Sequence, residues 1–234
     1  MRVCCYPVDV SQPTPALLNW KPSAPPAPLV LRGRYVTLES LDISHGDALW
    51  QAVQGHDHLW TWLANGPYAS PTGIIESLES WRDAEKAILF AIVPAETGQA
   101  AGWASFMRIK PRHGVIEVGN VLFSPALQRS RAATEAMYLM ARHVFESLGY
   151  RRYEWKCNAL NAASRRAAER FGFTFEGIFR QHMVVRDRSR DTAWFSMLDQ
   201  EWPAHKQSFE AWLDPANFDE HGQQRQSLGS FRTS

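Results

Sequence analysis

Apolar residues in this chain change their period several times, and each change marks an element. In VLRGRYVTLESL, Val36 and Leu38 alternate with polar neighbours, which predicts a half-buried strand. SHGDALWQAV predicts a short helix, GPYASPTG a loop and IIESLESWRDA a second helix. AILFAIV is an unbroken apolar run, the pattern of a buried strand, and the AETGQA turn folds it into a hairpin with GWASFMRI. GVIEVGNVLF predicts a further strand with Gly119 and Asn120 at its middle, where an interior glycine marks a bulge or a close backbone approach. Apolar positions 133, 137, 140, 141, 144 and 148 then form a helical stripe that stops at Gly149.

YRRYEWKC predicts the next strand. Asn161 caps a helix, AASRRAAERF, that ends at Gly172. FTFEGIFRQHMVV and DTAWFSML form a last strand pair around the polar RDRSR turn, and PAHKQSFEAWL is a terminal helix followed by a polar tail. Antiparallel hairpins come first and β-α-β crossovers follow, so the fold class is a single mixed α/β sheet with helices on both faces. Residues 1–28 stand apart, because they hold seven of the fourteen prolines and predict a stiff extended tail outside the core. Folded sequence is expected over 29–200, with residues 201–234 a helix and polar tail packed on it or extending it.

Composition narrows the function classes. With 45% apolar residues in 234, the chain can bury a full core. A net charge of +1 does not point to nucleic acid or a membrane, and no run approaches a membrane span. The adjacent Cys4 and Cys5 and the single Cys157 are not a disulfide framework. No His or Cys spacing suggests a metal site, and MRVCCYPVDV lacks the apolar core of a signal peptide, so the expected compartment is the reducing cytoplasm. Charge is uneven, however: residues 128–190 carry 13 Lys and Arg against 6 Asp and Glu, which points to an anionic ligand there or to a solvated basic face.

The start of that stretch, LQRSRAATEAMYLM, runs from a loop into a helix. A helix N-terminus gathers unpaired backbone N–H groups at the positive end of its dipole and binds phosphate without side chains. Ala133 permits close backbone approach. The side chain of Arg131 must either point away from such a cradle or wrap onto the phosphate.

The segments EVGNVLFSPALQ, Gln128-Arg-Ser-Arg131-Ala-Ala133 and NALNAASRRAAERFGFTFEG occur in the order seen in the GCN5-related N-acetyltransferases. Over about residues 30–200 the chain resembles that family, in particular the branch that acetylates N-terminal amines of ribosomal proteins. It is also similar to acetyltransferases that inactivate aminoacyl-nucleotide antibiotics. The resemblance implies a mostly antiparallel sheet of about seven strands, splayed between the fourth and fifth, with acetyl-CoA as cosubstrate. The pyrophosphate loop would be Gln128, Arg129, Ser130, Arg131, Ala132, Ala133 and Thr134. Arg131 stands where the family carries glycine. Backbone near Val121 and Phe123, with Asn161, would hold pantetheine.

Direct acetyl transfer to an amine needs a base, and Glu117, alone in an apolar strand, is the first candidate, with His182 second. The alternative for Glu117 is pairing with an arginine. The branch's own glutamate falls on Met183, and the tyrosine that many members use as acid falls on Ala168. Ser164, in the first turn of the later helix, is the matching proton donor. Its alternative role is backbone capping. Trp62, Tyr68 and Trp155 are candidates for the acceptor wall, against a plain packing role. The acceptor would be a primary amine, on a peptide N-terminus or an aminoacyl-type small molecule. The alternative is a domain that binds coenzyme A and has lost the chemistry. No nucleic acid or membrane partner is expected, and a monomer and a homodimer both remain open.

Overall fold

The computed structural model describes residues 21–232. The segment VLRGRYVTLESL, expected as one strand, divides into β1 (Leu31–Arg32) and β2 (Val36–Ser40), which pair antiparallel. A buried carboxylate causes the division. Glu135 accepts hydrogen bonds from the backbone N–H groups of Arg34, Tyr35 and Val36 at 2.9, 2.5 and 3.0 Å, and so holds the turn open around it. A Cβ on Gly33 would lie 2.4 Å from that carboxylate, so a larger residue there would have to displace it.

The sheet continues through β3 (Ile88–Pro94), β4 (Gly102–Lys110), β5 (Val115–Phe123), β6 (Arg152–Asn158), β7 (Thr174–Val185) and β8 (Arg188–Leu198). Its eight strands lie in the order β1-β2-β3-β4-β5-β6-β8-β7. Every neighbouring pair is antiparallel except β5 and β6, which run parallel across a helical crossover. The β7–β8 hairpin turns at Arg186 and Asp187, both with positive φ. The extra strand relative to the expected seven is the short β1.

Helices cover both faces. α1 (Gly46–Val53) and α2 (Pro71–Glu85) pack on one, around Leu49, Ile74, Leu78, Leu89 and Trp103. α2 starts where Ser70 accepts from the Gly73 N–H and Pro71 occupies the first turn. α3 (Arg131–Arg142), α4 (Ala162–Arg170) and α5 (Trp202–Leu213) cover the other face, around Phe90, Phe106, Tyr153, Phe195 and Phe209. The stripe of α3 ends in a π-helical turn, His143–Ser147.

Residues 1–20 of the proline-rich tail lie outside the described residues. The rest of it is not free of the fold: Pro26 is buried, the Ser23 N–H donates to Pro111 O, and the Tyr150 hydroxyl donates to Ala24 O. The segment after α5 folds back as well, burying Phe218 and Leu228. No described helix is long and apolar enough to cross a membrane.

His143 stacks on Phe106, and His205 lies beneath Gly172. Burial holds both imidazoles below the usual histidine range. The folded state therefore resists protons that the unfolded chain accepts. Their contribution to stability is complete above the unfolded value, near 6.5, and is lost as pH falls below it. The melting temperature is expected to fall between pH 7.5 and 5.5, and to fall less in His143→Phe; equal slopes in the two proteins would refute this.

Candidate active site

β5 pairs with β6 only from Val115↔Arg152 to Val118↔Trp155. Beyond that point the strands part, and residues 119–123 stay with β4 alone. The cause is local. The β4–β5 register shifts between Trp103 and Ser105, and Asn120 takes φ +47. A bulge there bends β5 away from its parallel neighbour. Gly119 answers the other half of the sequence expectation, since a Cβ on it would meet Met107 Sδ at 2.4 Å. Val121 and Phe123 thus lie on the unpaired stretch. Asn120 Nδ2 and Ser124 Oγ beside it are buried without a partner among the described residues.

The mouth of this opening is the start of α3. Ser130 caps it, accepting from the Ala133 N–H at 3.0 Å and donating to Leu127 O at 2.7 Å. Thr134 donates its hydroxyl to Ser130 O and accepts from Arg170. Gln128 donates to Phe123 O, and Arg129 takes φ +59. The backbone N–H groups of Arg129, Arg131 and Ala132 have no acceptor among the described residues. Together they form a cradle of free donors at a helix N-terminus.

Arg131 does not reach over that cradle. Its guanidinium lies between the rings of Tyr35 and Phe218, 4.8 and 4.9 Å from their centroids. The large residue is accommodated at a glycine position because its side chain points backward into an aromatic clamp. Its backbone N–H alone remains on the cradle.

In the turn that follows β6, Asn161 accepts from the Ser164 N–H at 3.0 Å and caps α4. Ser164 Oγ accepts from Trp155 Nε1 at 3.0 Å. Burial raises the Cys157 thiol above its usual range, and the Ser164 hydroxyl partly offsets this.

Glu117 is not the free carboxylate that the sequence reading favoured. It is 2% exposed and accepts both oxygens' bonds from Arg108 Nη1, at 2.9 and 3.0 Å, and a third from Lys156 Nζ at 2.8 Å. Lys156 also bonds Glu154, which bonds Arg152, which in turn bonds Glu176. Arg152 holds the Glu176 carboxyl below the usual range. Glu117 is thus one end of a chain of ion pairs across the sheet face.

The expected aromatic slot is also different. Trp155 shares the face of Tyr153 and Cys157 and packs on Phe171 and Phe173, while Trp62 is exposed on the loop beyond α1, whose neighbouring Leu59, Trp60 and Leu63 pack into the core on the opposite face. No ring contact among the described residues joins the two. Tyr68 turns inward, edge-on to Trp60, with its hydroxyl on Ser77. The loop reaches the β7–β8 hairpin instead through Arg186, which donates to Asn65 O and Gly66 O.

Sequence reasoning named His182 as the second candidate base but missed the residues grouped with it on this face. Phe179, His182 and Trp194 pack together, with Lys156 Nζ 3.8 Å over the Trp194 ring and His182 Nδ1 3.0 Å from Thr192 Oγ1. The signal was present as period-two alternation in β8: Thr192, Trp194 and Ser196 face one way, and Ala193, Phe195 and Met197 the other.

A bulged strand, a parallel neighbour that parts from it and an open helix N-terminus at the mouth define the acyl-group transferases that the sequence resembles. The sequence profile described as Acetyltransferase (GNAT) domain matches residues 36–174. A GCN5-related N-acetyltransferase from Brucella melitensis is 49% identical, with a TM-score of 0.87, over 92% of this chain and 99% of that one. A probable acetyltransferase of the GNAT family from Chromobacterium violaceum ATCC 12472 is 42% identical, with a TM-score of 0.77, over 83% and 98%. The chain belongs to the GNAT acetyltransferase family, and its enzyme class is that of acyl-CoA-dependent N-acetyltransferases.

A Salmonella typhimurium acetyl transferase that modifies the N-terminal serine of ribosomal protein L7/L12 shares the fold, at 22% identity and a TM-score of 0.62, over 73% and 99%. No curated protein matches the chain.

Proposed function

We propose that this protein transfers acetyl from acetyl-CoA to a primary amine, by direct attack within a ternary complex. The observation that carries the reading is the pairing of the β5–β6 opening with the free N–H groups of Arg129, Arg131 and Ala132 at its mouth. Bound there, acetyl-CoA supplies an activated thioester acyl group.

This chain's residues divide the remaining work. The α3 N-terminus, residues 128–134, holds the diphosphate. The backbone of Val121 and Phe123 and the side chain of Asn161 line the opening. Asn120 Nδ2 and Ser124 Oγ, buried and unpartnered, fit a ligand with amide groups. Ser164 accepts from Trp155 Nε1, and its hydroxyl proton, which in this structure also reaches the Cys157 thiol, is the one to deliver into the opening.

The acceptor amine lies on the face of Trp194 and His182, a peptide N-terminus or an aminoacyl-type small molecule. Glu117 is already paired with Arg108 and Lys156, so the geometry favours His182 as the base, acting through Nε2 in the tautomer whose Nδ1–H donates to Thr192 Oγ1. The catalytic unit in this reading is residues 29–200, with the segment after it bracing the mouth through Phe218.

Thiol release from acetyl-CoA, followed across a panel of peptide and small-molecule amines, tests the reading. Ser164→Ala and His182→Gln are each expected to lower kcat roughly a hundredfold, with acetyl-CoA affinity unchanged. No thiol release with any amine, or unaltered kcat in both variants, would overturn it.

A further inference from the structure

β8 carries two donors that the fold buries and does not satisfy. Arg190 Nε and Trp194 Nε1 are both buried, and neither has a hydrogen-bond partner among the described residues. They alternate with Thr192 on one face of one strand, the face occupied by His182 and Lys156. A native fold rarely leaves a buried guanidinium N–H unpaired, because desolvation without a partner costs more than an ordinary hydrogen bond returns.

The surrounding carboxylates cannot supply that partner. Glu117 is held by Arg108 and Lys156, Glu154 by Lys156 and Arg152, and Glu176 by Arg152 and Ser196. Asp191, next in sequence, points to the other side of the strand and accepts from the Gln181 N–H at 2.7 Å. The ion-pair chain across this face contains Arg108, Arg152 and Lys156 against Glu117, Glu154 and Glu176, so it closes on itself. Arg190 is left over as an uncompensated cation.

Its position is at the chemistry. Asn158, at the end of β6, pairs with Thr192, two residues from Arg190. Burial lowers the affinity of Arg190 for its proton, and the charge of Arg108 acts in the same direction while that of Glu117 opposes it. β5 and β6 part after Val118↔Trp155, β6 and β8 stay paired to Asn158↔Thr192, and Arg190 follows two residues further along β8, so it lies on the end of the sheet toward which the opening widens. An amine directed at that opening would present the rest of its molecule to β8.

We infer that Arg190, with the Trp194 N–H beside it, is the specificity determinant for an acceptor that carries a carboxylate a few bonds from its reacting amine. This rests on the acetyltransferase reading and narrows its substrate class. The carboxylate can be the α-carboxylate of a free amino acid or the side chain of an acidic residue near a peptide N-terminus. Either supplies the planar, two-oxygen partner that a guanidinium binds best. Trp194 adds a single neutral donor at the edge of the aromatic group.

Matched acceptors test it: an amino acid against its amide, and peptides with Asp or Asn at the second position, assayed by thiol release from acetyl-CoA. The intact enzyme is expected to prefer the carboxylate of at least one pair by roughly ten- to a hundredfold in kcat/KM. The pair that shows the preference identifies the source of the carboxylate. Arg190→Gln is expected to erase the preference through KM, and Arg190→Lys to restore part of it. A melting curve confirms that each variant is folded.

Acetylation of amides and carboxylates with equal efficiency by the intact enzyme would overturn the inference and leave the acetyltransferase reading in place. So would a preference that survives Arg190→Gln. Failure of acetyl-CoA to bind at all, measured by titration calorimetry, would remove both.

Discussion

Glu117→Ala is expected to lower the stability of the protein by about 3–5 kcal/mol, the usual result of removing one partner from a buried ion pair. For a chain of this size that is a fall of roughly 10 °C in melting temperature. Lys156 is 5% exposed at its side chain and cannot regain water when Glu117 leaves. Arg108 loses both of its bonds, although its half-exposed side chain can turn outward. Substituting Lys156 as well separates this from any chemical role. Lys156, left with Glu154 as its one carboxylate partner, remains a buried cation, so Glu117→Ala with Lys156→Met is expected to be more stable than Glu117→Ala alone. A base in the reaction would behave differently. Its loss would lower kcat while the melting temperature stayed where it was, and that outcome would return Glu117 to the mechanism.

The second large effect concerns a single N–H. Arg131 is the first residue of α3, and Ser130 before it is extended, with φ −84 and ψ 163. Proline is well tolerated at this position, and its preceding residue already has the conformation proline requires. Arg131→Pro therefore deletes one cradle N–H and one side chain without breaking the helix. Arg131→Ala deletes the side chain only.

Because that side chain points into Tyr35 and Phe218, the alanine variant is expected to lose stability of the docked segment while binding acetyl-CoA nearly as before. The proline variant is expected to bind roughly ten- to a hundredfold more weakly, the loss of one hydrogen bond to a charged group. Calorimetric titration of both variants decides between the two roles. Equal weakening in both would put the guanidinium itself on the ligand.

These comparisons show where the sequence was legible. Element type followed from periodicity: the α3 stripe, the alternating strands and the Asn161 cap all lie where the pattern puts them. The bulge in β5 was signalled by Gly119, although the strained backbone belongs to Asn120. What failed were inferences that depend on residues distant in the chain. The direction of Arg131 is decided by Tyr35 and Phe218, and the pairing of Glu117 by Lys156 on a strand that reaches it only through a crossover.

Trp155 failed for a different reason. Its alternation with Tyr153 and Cys157 already placed it on one face of the strand, but nothing local said which face α3 would cover. The break at Gly33 was invisible because its cause, Glu135, lies inside a helix that comes much later. Resemblance supplied the location of the cradle and the opening. It did not supply the residues that distinguish this chain, Arg190 and Trp194.

Amide hydrogen exchange, with and without acetyl-CoA, tests the central claim most directly, because the claim concerns particular N–H groups. Slowed exchange is expected on saturation at Arg129, Arg131 and Ala132 and along residues 119–123, with α2 and the β1–β2 turn unchanged. Binding that leaves those amides at their original rates, or that protects a different surface, would contradict the account.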